Sequence, residues 1–317
     1  MKFSNNRDVL ASVVKERAAI RNVSKHRNPD GSMDVDGNLK LWNSVMDRFE
    51  WIPLWEDGAP NYDDRAPLQP EPNIIFIPAP DNKTPRGCII VAHGGGFLTR
   101  TGCEGFNVAD FFNKEGFAVA ILTYRLIPYS RFDALADMQR AIRLLRSRKD
   151  ELGITDKIAV MGFSAGGMLS GNAATNYDSG NPESDDPVER FSCRPDAAVL
   201  AYGAFTSMTF PTGFGMMLKG PGSELTQEER YKLAVEKRIT PDTPPFFIWQ
   251  TMSDDGRHGM ATAKALQDVG VPYELHIFTS GVHGCALADG ENDLDLADRH
   301  VAHWGKLCAE WLESMGL

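Results

Sequence analysis

Short apolar runs alternate with amphipathic stretches from about residue 73 to the C terminus. Apolar runs bounded by turn residues are typical of buried strands, and apolar residues spaced three and four apart are typical of helices. The runs predict strands at 73–78, 88–92, 117–123, 158–161, 197–202, 246–251 and 273–278. The amphipathic stretches predict helices at 132–150, 165–174, 226–237, 261–269 and 294–312. Continuous apolar strands between helices predict an α/β fold, with a mostly parallel central sheet covered by helices on both faces.

Residues 1–50 are predicted to form a helical extension. They contain two apolar stripes at helical spacing, separated by a chain break at 28–31. The stripes are Val9, Leu10, Val13 and Val14, then Leu39, Trp42, Val45, Met46 and Phe49. We expect both to pack on the main domain; a lid over the functional site and a dimer arm, which would imply a homo-oligomer, are the alternatives.

Residues 51–317 show no internal repeat and no second core pattern, so we expect one domain there. Residues 51–72 are predicted to be an irregular loop, and two later stretches, 177–196 and 205–245, interrupt the alternation of strands and helices. Both later stretches follow predicted strands, on the sheet edge where α/β proteins place ligands. The second carries a short helix capped by Thr226 with Glu229, and we expect it to form a small cap.

Charge and composition exclude some function classes. Of the 317 residues, 42% are hydrophobic and 24% charged, as in an ordinary globular protein, and the net charge is −10. Attraction to phosphate supplies most of the affinity for nucleic acid, so this charge argues against such a partner. We expect the arginines between 140 and 146 on the solvated face of a helix. No apolar run is long enough to span a bilayer, so we expect no membrane association.

The N terminus and the cysteines bear on localisation. The first residues are polar and contain no apolar segment of a signal peptide. The five cysteines show no C-x-x-C spacing, and they are Cys88, Cys103, Cys193, Cys285 and Cys308. Reduced thiols in the cytoplasm are the expected state, although a signal peptide already removed would also fit.

A G-x-S-x-G motif at 162–166 is the strongest chemical signal in the chain. A predicted strand precedes it and a predicted helix follows, which is the context of a serine held on a sharp strand-to-helix turn. Small residues are needed two positions before and after that serine, because strand and helix come too close there for a Cβ. The helix N terminus also brings free N–H groups to the oxygen that becomes negative. Ser164 is therefore the predicted nucleophile.

A serine nucleophile needs a base, and seven histidines are available: His26, His93, His258, His276, His283, His300 and His303. Enzymes with this turn order their three residues as serine, acid, histidine, with the histidine in a loop after the last strand. His283 fits because it follows the predicted strand 273–278 and stands beside Gly281 and Gly284. The acid should follow the preceding strand, where Asp254 comes first and Asp255 is the alternative.

The oxyanion hole should combine the N–H of the residue after the nucleophile with N–H groups of an early glycine-rich loop. Ala165 is the first, and the loop 93–97, with sequence His-Gly-Gly-Gly-Phe, supplies Gly95 and Gly96. This loop lacks the spacings of nucleotide-binding motifs, so phosphate binding is the weaker interpretation.

Several motifs together resemble one family. They are 93–97, 124–126 (Tyr-Arg-Leu), 162–167 (Gly-Phe-Ser-Ala-Gly-Gly), 243–249, 270–276 and 283–284, with Pro-Leu-Trp at 53–55 and Ala-Pro at 59–60. Over about residues 50–315 the chain resembles α/β-hydrolases of the esterase/lipase group with an HGGG loop, especially the acetylxylan-esterase-like branch. The resemblance implies that fold, a triad of Ser164, Asp254 and His283, and an oxyanion hole at Gly95, Gly96 and Ala165.

The chain departs from the family pattern at two places. Phe163 stands where the hormone-sensitive-lipase-like branch usually has Asp. The Val-Pro that usually follows the acid is replaced by residues 256–258, Gly-Arg-His, so Asp255 stays open as the alternative acid.

The expected function is hydrolysis of an ester through an acyl-enzyme, with no metal and no organic cofactor. Phe97, Phe205 and Met208, with Met216 and Met217, are candidate walls of a small acyl pocket. Together with the resemblance, this favours a small-molecule substrate with a short acyl group, acetyl first, on a sugar or small oligosaccharide. A serine peptidase or amidase and a non-catalytic binding protein of the same fold are the alternatives.

Overall fold

The computed structural model describes residues 3–19, 27–80, 86–209, 225–292 and 294–317. Within them, one sheet runs in the order β1-β2-β4-β3-β5-β6-β7-β8. Its strands are β1 Ile52–Pro53, β2 Asn73–Ile77, β3 Cys88–Ala92, β4 Ala118–Thr123, β5 Ile158–Phe163, β6 Ala197–Ala201, β7 Phe246–Thr251 and β8 Tyr273–Phe278. Strand β2 pairs antiparallel with both neighbours and the remaining pairs are parallel, as the apolar runs predict.

Helices cover both faces of the sheet. They are α1 Asn5–Glu16, α2 Val35–Met46, α3 Val108–Lys114, α4 Arg131–Ser147, α5 Lys149–Leu152, α6 Ala165–Thr175, α7 Gln227–Leu233, α8 Val235–Arg238, α9 Arg257–Val269 and α10 His303–Ser314. Alternate residues of each central strand enter opposite core clusters. One cluster contains apolar side chains of α4, α6 and α9, and the other contains those of α1, α3 and α10. The expected sheet with two covered faces is therefore present.

The described parts of the N-terminal extension pack on the sheet. Leu10 and Val13 of α1 are buried in the same core cluster as Ile75 and Ile77 of β2. The side-chain amide of Asn6 donates to the carbonyls of Glu50 and Phe76, at 2.7 and 2.9 Å. Helix α2 buries Trp42 completely.

The main differences from the predicted helices lie in the last helix, within 226–237 and before α3. The last helix begins at His303 rather than 294, because the carboxylate of Asp298 accepts the backbone N–H groups of His300 and Val301 and holds a turn there. The predicted helix 226–237 is interrupted at Ala234, whose φ and ψ of −88° and 106° are not helical, although the predicted cap by Thr226 is present. A π-helical turn at Cys103–Asn107, leading into α3, was not predicted.

The arginines of α4 are not on a solvated face, so that prediction is wrong. Arg140 and Arg143 have side chains 5% and 7% exposed, and both form ion pairs with Glu189. Arg146 pairs with Asp196 at 2.7 Å. The acidic stretch 177–196 lies over this part of α4, because its carboxylates compensate arginine charges that burial would otherwise leave unpaired.

Candidate active site

Ser164 occupies the sharp turn between β5 and α6. Its φ and ψ are 51° and −116°, outside the regions that most L-residues favour, so the turn is strained. A Cβ on Gly162 would clash with the carbonyl of Gly166, and one on Gly166 would clash with the carbonyl of Ala92. The two glycines of the G-x-S-x-G motif are therefore required by close approach, as the sequence predicts.

The structure brings Ser164, His283 and Asp254 into one hydrogen-bonded chain. Ser164 Oγ lies 2.9 Å from His283 Nε2, and His283 Nδ1 lies 2.6 Å from Asp254 Oδ1. The three residues come from turns after β5, β8 and β7, which end at the same edge of the sheet. This arrangement can move a proton from the serine hydroxyl to the imidazole while the carboxylate holds the ring.

The two candidate acids occupy different environments. Asp254 is only 7% exposed, and its Oδ2 accepts a 2.8 Å hydrogen bond from the hydroxyl of Thr251. Asp255 is 36% exposed and forms a bidentate pair with Arg257, whose hydrogen bond lowers the pKa of Asp255 to about 2. Of these two carboxylates, Asp254 is the one that hydrogen-bonds His283.

The pKa of His283 is above its usual value of 6.5. Burial opposes the charged form, but the hydrogen bond and negative charge of Asp254, with a smaller contribution from Glu104, more than offset it. The raised pKa makes the imidazole a stronger proton acceptor once it is neutral.

We expect kcat/KM for an ester to rise with pH through a midpoint above 6.5, because only neutral His283 can accept the Ser164 proton. A rate profile with p-nitrophenyl acetate between about pH 5 and pH 9, corrected for spontaneous hydrolysis, measures that midpoint. A flat profile across this range, or a midpoint well below 6.5, would contradict the assignment of His283 as base.

The glycine-rich loop after β3 lies directly beside Ser164. A Cβ on Gly94 would come within 3.0 Å of Ser164 Cβ. Gly95 has φ +115°, a conformation that L side chains rarely adopt. The N–H groups of Gly95, Gly96 and Ala165 form no hydrogen bond to another described residue. An N–H group without an internal partner is able to bind an anionic oxygen.

The ring of His93 fixes the start of this loop. It is fully buried, its Nδ1 lies 2.7 Å from the carbonyl of Gly94, and its Nε2 lies 3.0 Å from Arg100. Burial, with the charge of Arg100, holds its pKa well below the usual value, so the ring is neutral. It stacks on Tyr124 with ring centroids 4.5 Å apart and contacts Trp42 of α2 at 4.8 Å. The N-terminal extension thus contacts the loop beside Ser164.

Sequence reasoning missed Glu104, which is 2% exposed and joins two parts of the site. Its Oε2 accepts the N–H of Gly94 at 2.7 Å, and its Oε1 accepts the hydroxyl of Tyr202 at 2.8 Å. Tyr202 in turn accepts the N–H of Ala286 and packs edge-on to His283, with ring centroids 5.2 Å apart. No motif marks Glu104, since its partners are distant in the sequence.

A pocket of about 340 Å³ opens at Ser164. Its lining comprises Ser164, Met168, Tyr202, Gly203, Ala204, Gln250, Ser253, Asp254, Asp255, His258 and His283. Phe97 and Phe205 are 4% and 1% exposed core residues and Met208 is half-buried; none of the three lines this pocket. Met216 and Met217 lie outside the described residues.

The described ranges also bear on metal-ligand clusters, membrane-spanning helices and cysteines. The described ranges contain no group of three or more His, Cys, Asp or Glu side chains arranged to hold a metal ion. The helices of those ranges are too short or too polar to cross a bilayer. The five cysteines are buried as free thiols.

The mostly parallel sheet, the strained serine turn and the histidine after the last strand define the class of this protein as an α/β-hydrolase. The BD-FAE family model matches residues 75–256, and the chain belongs to that family. This match, together with the similar proteins below, confirms the expected likeness to acetylxylan-esterase-like α/β-hydrolases.

Three similar proteins illustrate the match. The acetyl ester-xyloside bifunctional hydrolase of Caldicellulosiruptor lactoaceticus is 36% identical, with 84% of this chain and 96% of that chain covered and a TM-score of 0.77. The acetylxylan esterase of Xylanibacter ruminicola is 25% identical, over 74% of this chain and 47% of its own length. The endo-1,4-beta-xylanase B of Butyrivibrio fibrisolvens is 29% identical, over 75% of this chain and 38% of its own length. The chain therefore spans less than half the length of these two curated relatives.

Proposed function

We propose that this protein is a serine carboxylic ester hydrolase that removes short acyl groups, acetyl first, from sugars or small oligosaccharides. The relatives support a carboxylic ester hydrolase, and two of them are named for acetylated xylan or xylosides. The observation that carries the mechanism is the hydrogen-bonded chain from Ser164 through His283 to Asp254 at the mouth of a pocket.

In the proposed reaction His283 takes the Ser164 proton as the serine oxygen attacks the ester carbonyl. The N–H groups of Ala165, Gly95 and Gly96 stabilise the oxyanion, each contributing roughly 3–4 kcal/mol. His283 then gives its proton to the leaving alcohol, and the C–O bond to that alcohol breaks. Water, activated by the same imidazole, hydrolyses the acyl-enzyme and restores the serine.

The size of the pocket supports a small substrate portion. At about 340 Å³ it lies near the lower end for ligand pockets, and Met168 and Tyr202 supply apolar surface beside Ser164. A long acyl chain would extend beyond the pocket, whereas an acetyl group with one sugar ring is comparable in size to the pocket.

We further propose that residues 51–317 are one α/β-hydrolase domain with a short cap around 205–245, of which 210–224 lie outside the described residues, and that residues 1–50 support the domain. The burial of Leu10 and Val13 in the sheet core and the contact of Trp42 with His93 favour support over a lid.

The experiment compares p-nitrophenyl acetate, butyrate and octanoate, followed by acetate release from acetylated xylo-oligosaccharides. We expect kcat/KM to fall at least about tenfold from acetate to octanoate, since added methylenes do not fit a small pocket. A preference for octanoate would contradict the acyl assignment. Faster turnover of p-nitroanilides than of esters would instead favour a peptidase or amidase.

A further inference from the structure

The polar side chains around the Ser164 pocket are mostly committed to other groups in the protein. The amide of Gln250 hydrogen-bonds backbone groups at both its nitrogen and its oxygen. The hydroxyl of Ser253 lies 2.7 Å from Thr251 Oγ1. The two carboxylate oxygens of Asp255 accept hydrogen bonds from Nε and Nη2 of Arg257. These groups are therefore poor candidates for fixing a substrate.

His258, the second residue of α9, is different. Its Nδ1 lies 2.6 Å from the hydroxyl of Thr206, and its ring packs against Phe205 with centroids 6.0 Å apart. Its Nε2 forms no hydrogen bond with any residue in the described ranges, although the residue is only 6% exposed and lines the pocket that holds Ser164. This nitrogen is therefore left to solvent or to a ligand that enters the pocket, and an imidazole nitrogen can donate or accept a hydrogen bond there.

We propose that His258 Nε2 binds a hydroxyl group on the alcohol portion of the substrate, close to the ester that Ser164 attacks. This inference rests on the proposed esterase function and names the substrate feature that the same pocket selects. An acetyl group has no hydroxyl, and its carbonyl oxygen is taken by the oxyanion donors, so the partner of His258 belongs to the alcohol. Sugars with a free hydroxyl next to the acetylated one have that chemistry.

Either tautomer of His258 can make this bond. If the Thr206 hydroxyl donates to Nδ1, then Nε2–H donates to the substrate; if Nδ1–H donates to Thr206, then Nε2 accepts from it. A sugar hydroxyl is able to donate and to accept. Burial lowers the pKa of His258, against the opposing charges of Asp255 and Glu236, so the ring is neutral near pH 7.

The test uses two acetates with rings of the same size, cyclohexyl acetate and a methyl mono-O-acetyl-β-xylopyranoside. In His258→Ala we expect kcat/KM to fall about tenfold for the xyloside and less than about twofold for cyclohexyl acetate. Thr206→Val, which removes the hydroxyl that orients the ring, should lower only the xyloside value, by about threefold. Lys264→Ala, an exposed change on the same helix, is the control and should alter neither.

Equal losses on both acetates would show that His258 only supports the structure, and no loss on either would show that it binds nothing; each overturns the proposal while the esterase function stands. A third substrate, cyclohexyl glycolate, has its hydroxyl on the acyl group. If His258→Ala lowers kcat/KM for this ester alone, the hydroxyl that His258 binds is on the acyl group and the proposal is overturned. If His258→Ala fails to fold, the ratio of the two substrates in Thr206→Val decides. A wild-type enzyme inactive on both acetates would overturn the proposed function and this inference with it.

Discussion

Replacing Ser164 by alanine is expected to lower kcat/KM for p-nitrophenyl acetate by about a million-fold. The substitution removes the oxygen that attacks the ester and leaves the oxyanion donors, which alone give only a residual acceleration over water. Steady-state assays with purified protein, at enzyme concentrations high enough to detect the residual rate, measure the effect.

The control for this variant is Ser170→Ala, the same substitution in α6, the helix that follows Ser164. Ser170 is fully buried and its Oγ has no hydrogen-bond partner among the described residues, so we expect full activity. Thermal unfolding of both variants separates loss of chemistry from loss of fold. Activity of Ser164→Ala above about one thousandth of wild type, after exclusion of contamination, would contradict its role as nucleophile.

The second large effect concerns the acid. In Asp254→Asn we expect kcat to fall about ten-thousandfold, because an amide that donates to His283 Nδ1 holds the imidazole in the tautomer that cannot accept the serine proton. The neighbouring hydroxyl of Thr251 keeps its place against the remaining oxygen, so the fold should persist.

Asp255→Asn is the matched comparison, since it makes the same chemical change one residue further along the chain. Asp255 pairs with Arg257 at the surface and makes no hydrogen bond with His283, so we expect less than about threefold loss. The reverse order of effects, with Asp255→Asn the inactive variant, would mean that the acids exchange roles in solution.

Much of this site was predictable because its signals are local or follow from topology. The serine turn needs small residues at fixed positions, and parallel strands that end at one edge bring the residues after β5, β7 and β8 together. For the acid, the sequence favours Asp254 and leaves Asp255 as the alternative, since both follow the same strand. Packing decides between them, by burying one carboxylate beside His283 and leaving the other to Arg257.

The features that escaped prediction depend on contacts between distant segments. Glu104 matters because the fold places it between Gly94 and Tyr202, and neither contact has a sequence pattern. The arginines of α4 have the spacing of a solvated face, yet a stretch some forty residues later in the chain covers them, with Arg143 bound to Glu189. A helical periodicity indicates which positions share a face and leaves open what lies against it.

The N-terminal extension also gains a role only from the tertiary structure. Trp42 contacts the ring of His93, and the backbone of Ala19 lies so close to Gly102 that a Cβ there would clash. The first contact is with the loop 93–97 itself, which carries Gly95 and Gly96, and the second is with a residue shortly after that loop. The extension therefore packs against the loop from which the proposed oxyanion donors come.

The central claim is that Ser164 becomes covalently acylated, and trapping it tests this most directly. The protein is incubated with a p-nitrophenyl alkylphosphonate, which a serine activated by histidine attacks with release of p-nitrophenol. Mass spectrometry of the intact protein and of its peptides then locates the adduct. The account predicts one phosphonyl group, on Ser164, that is absent from Ser164→Ala and forms far more slowly in His283→Gln. No adduct, or an adduct that Ser164→Ala retains, would contradict it.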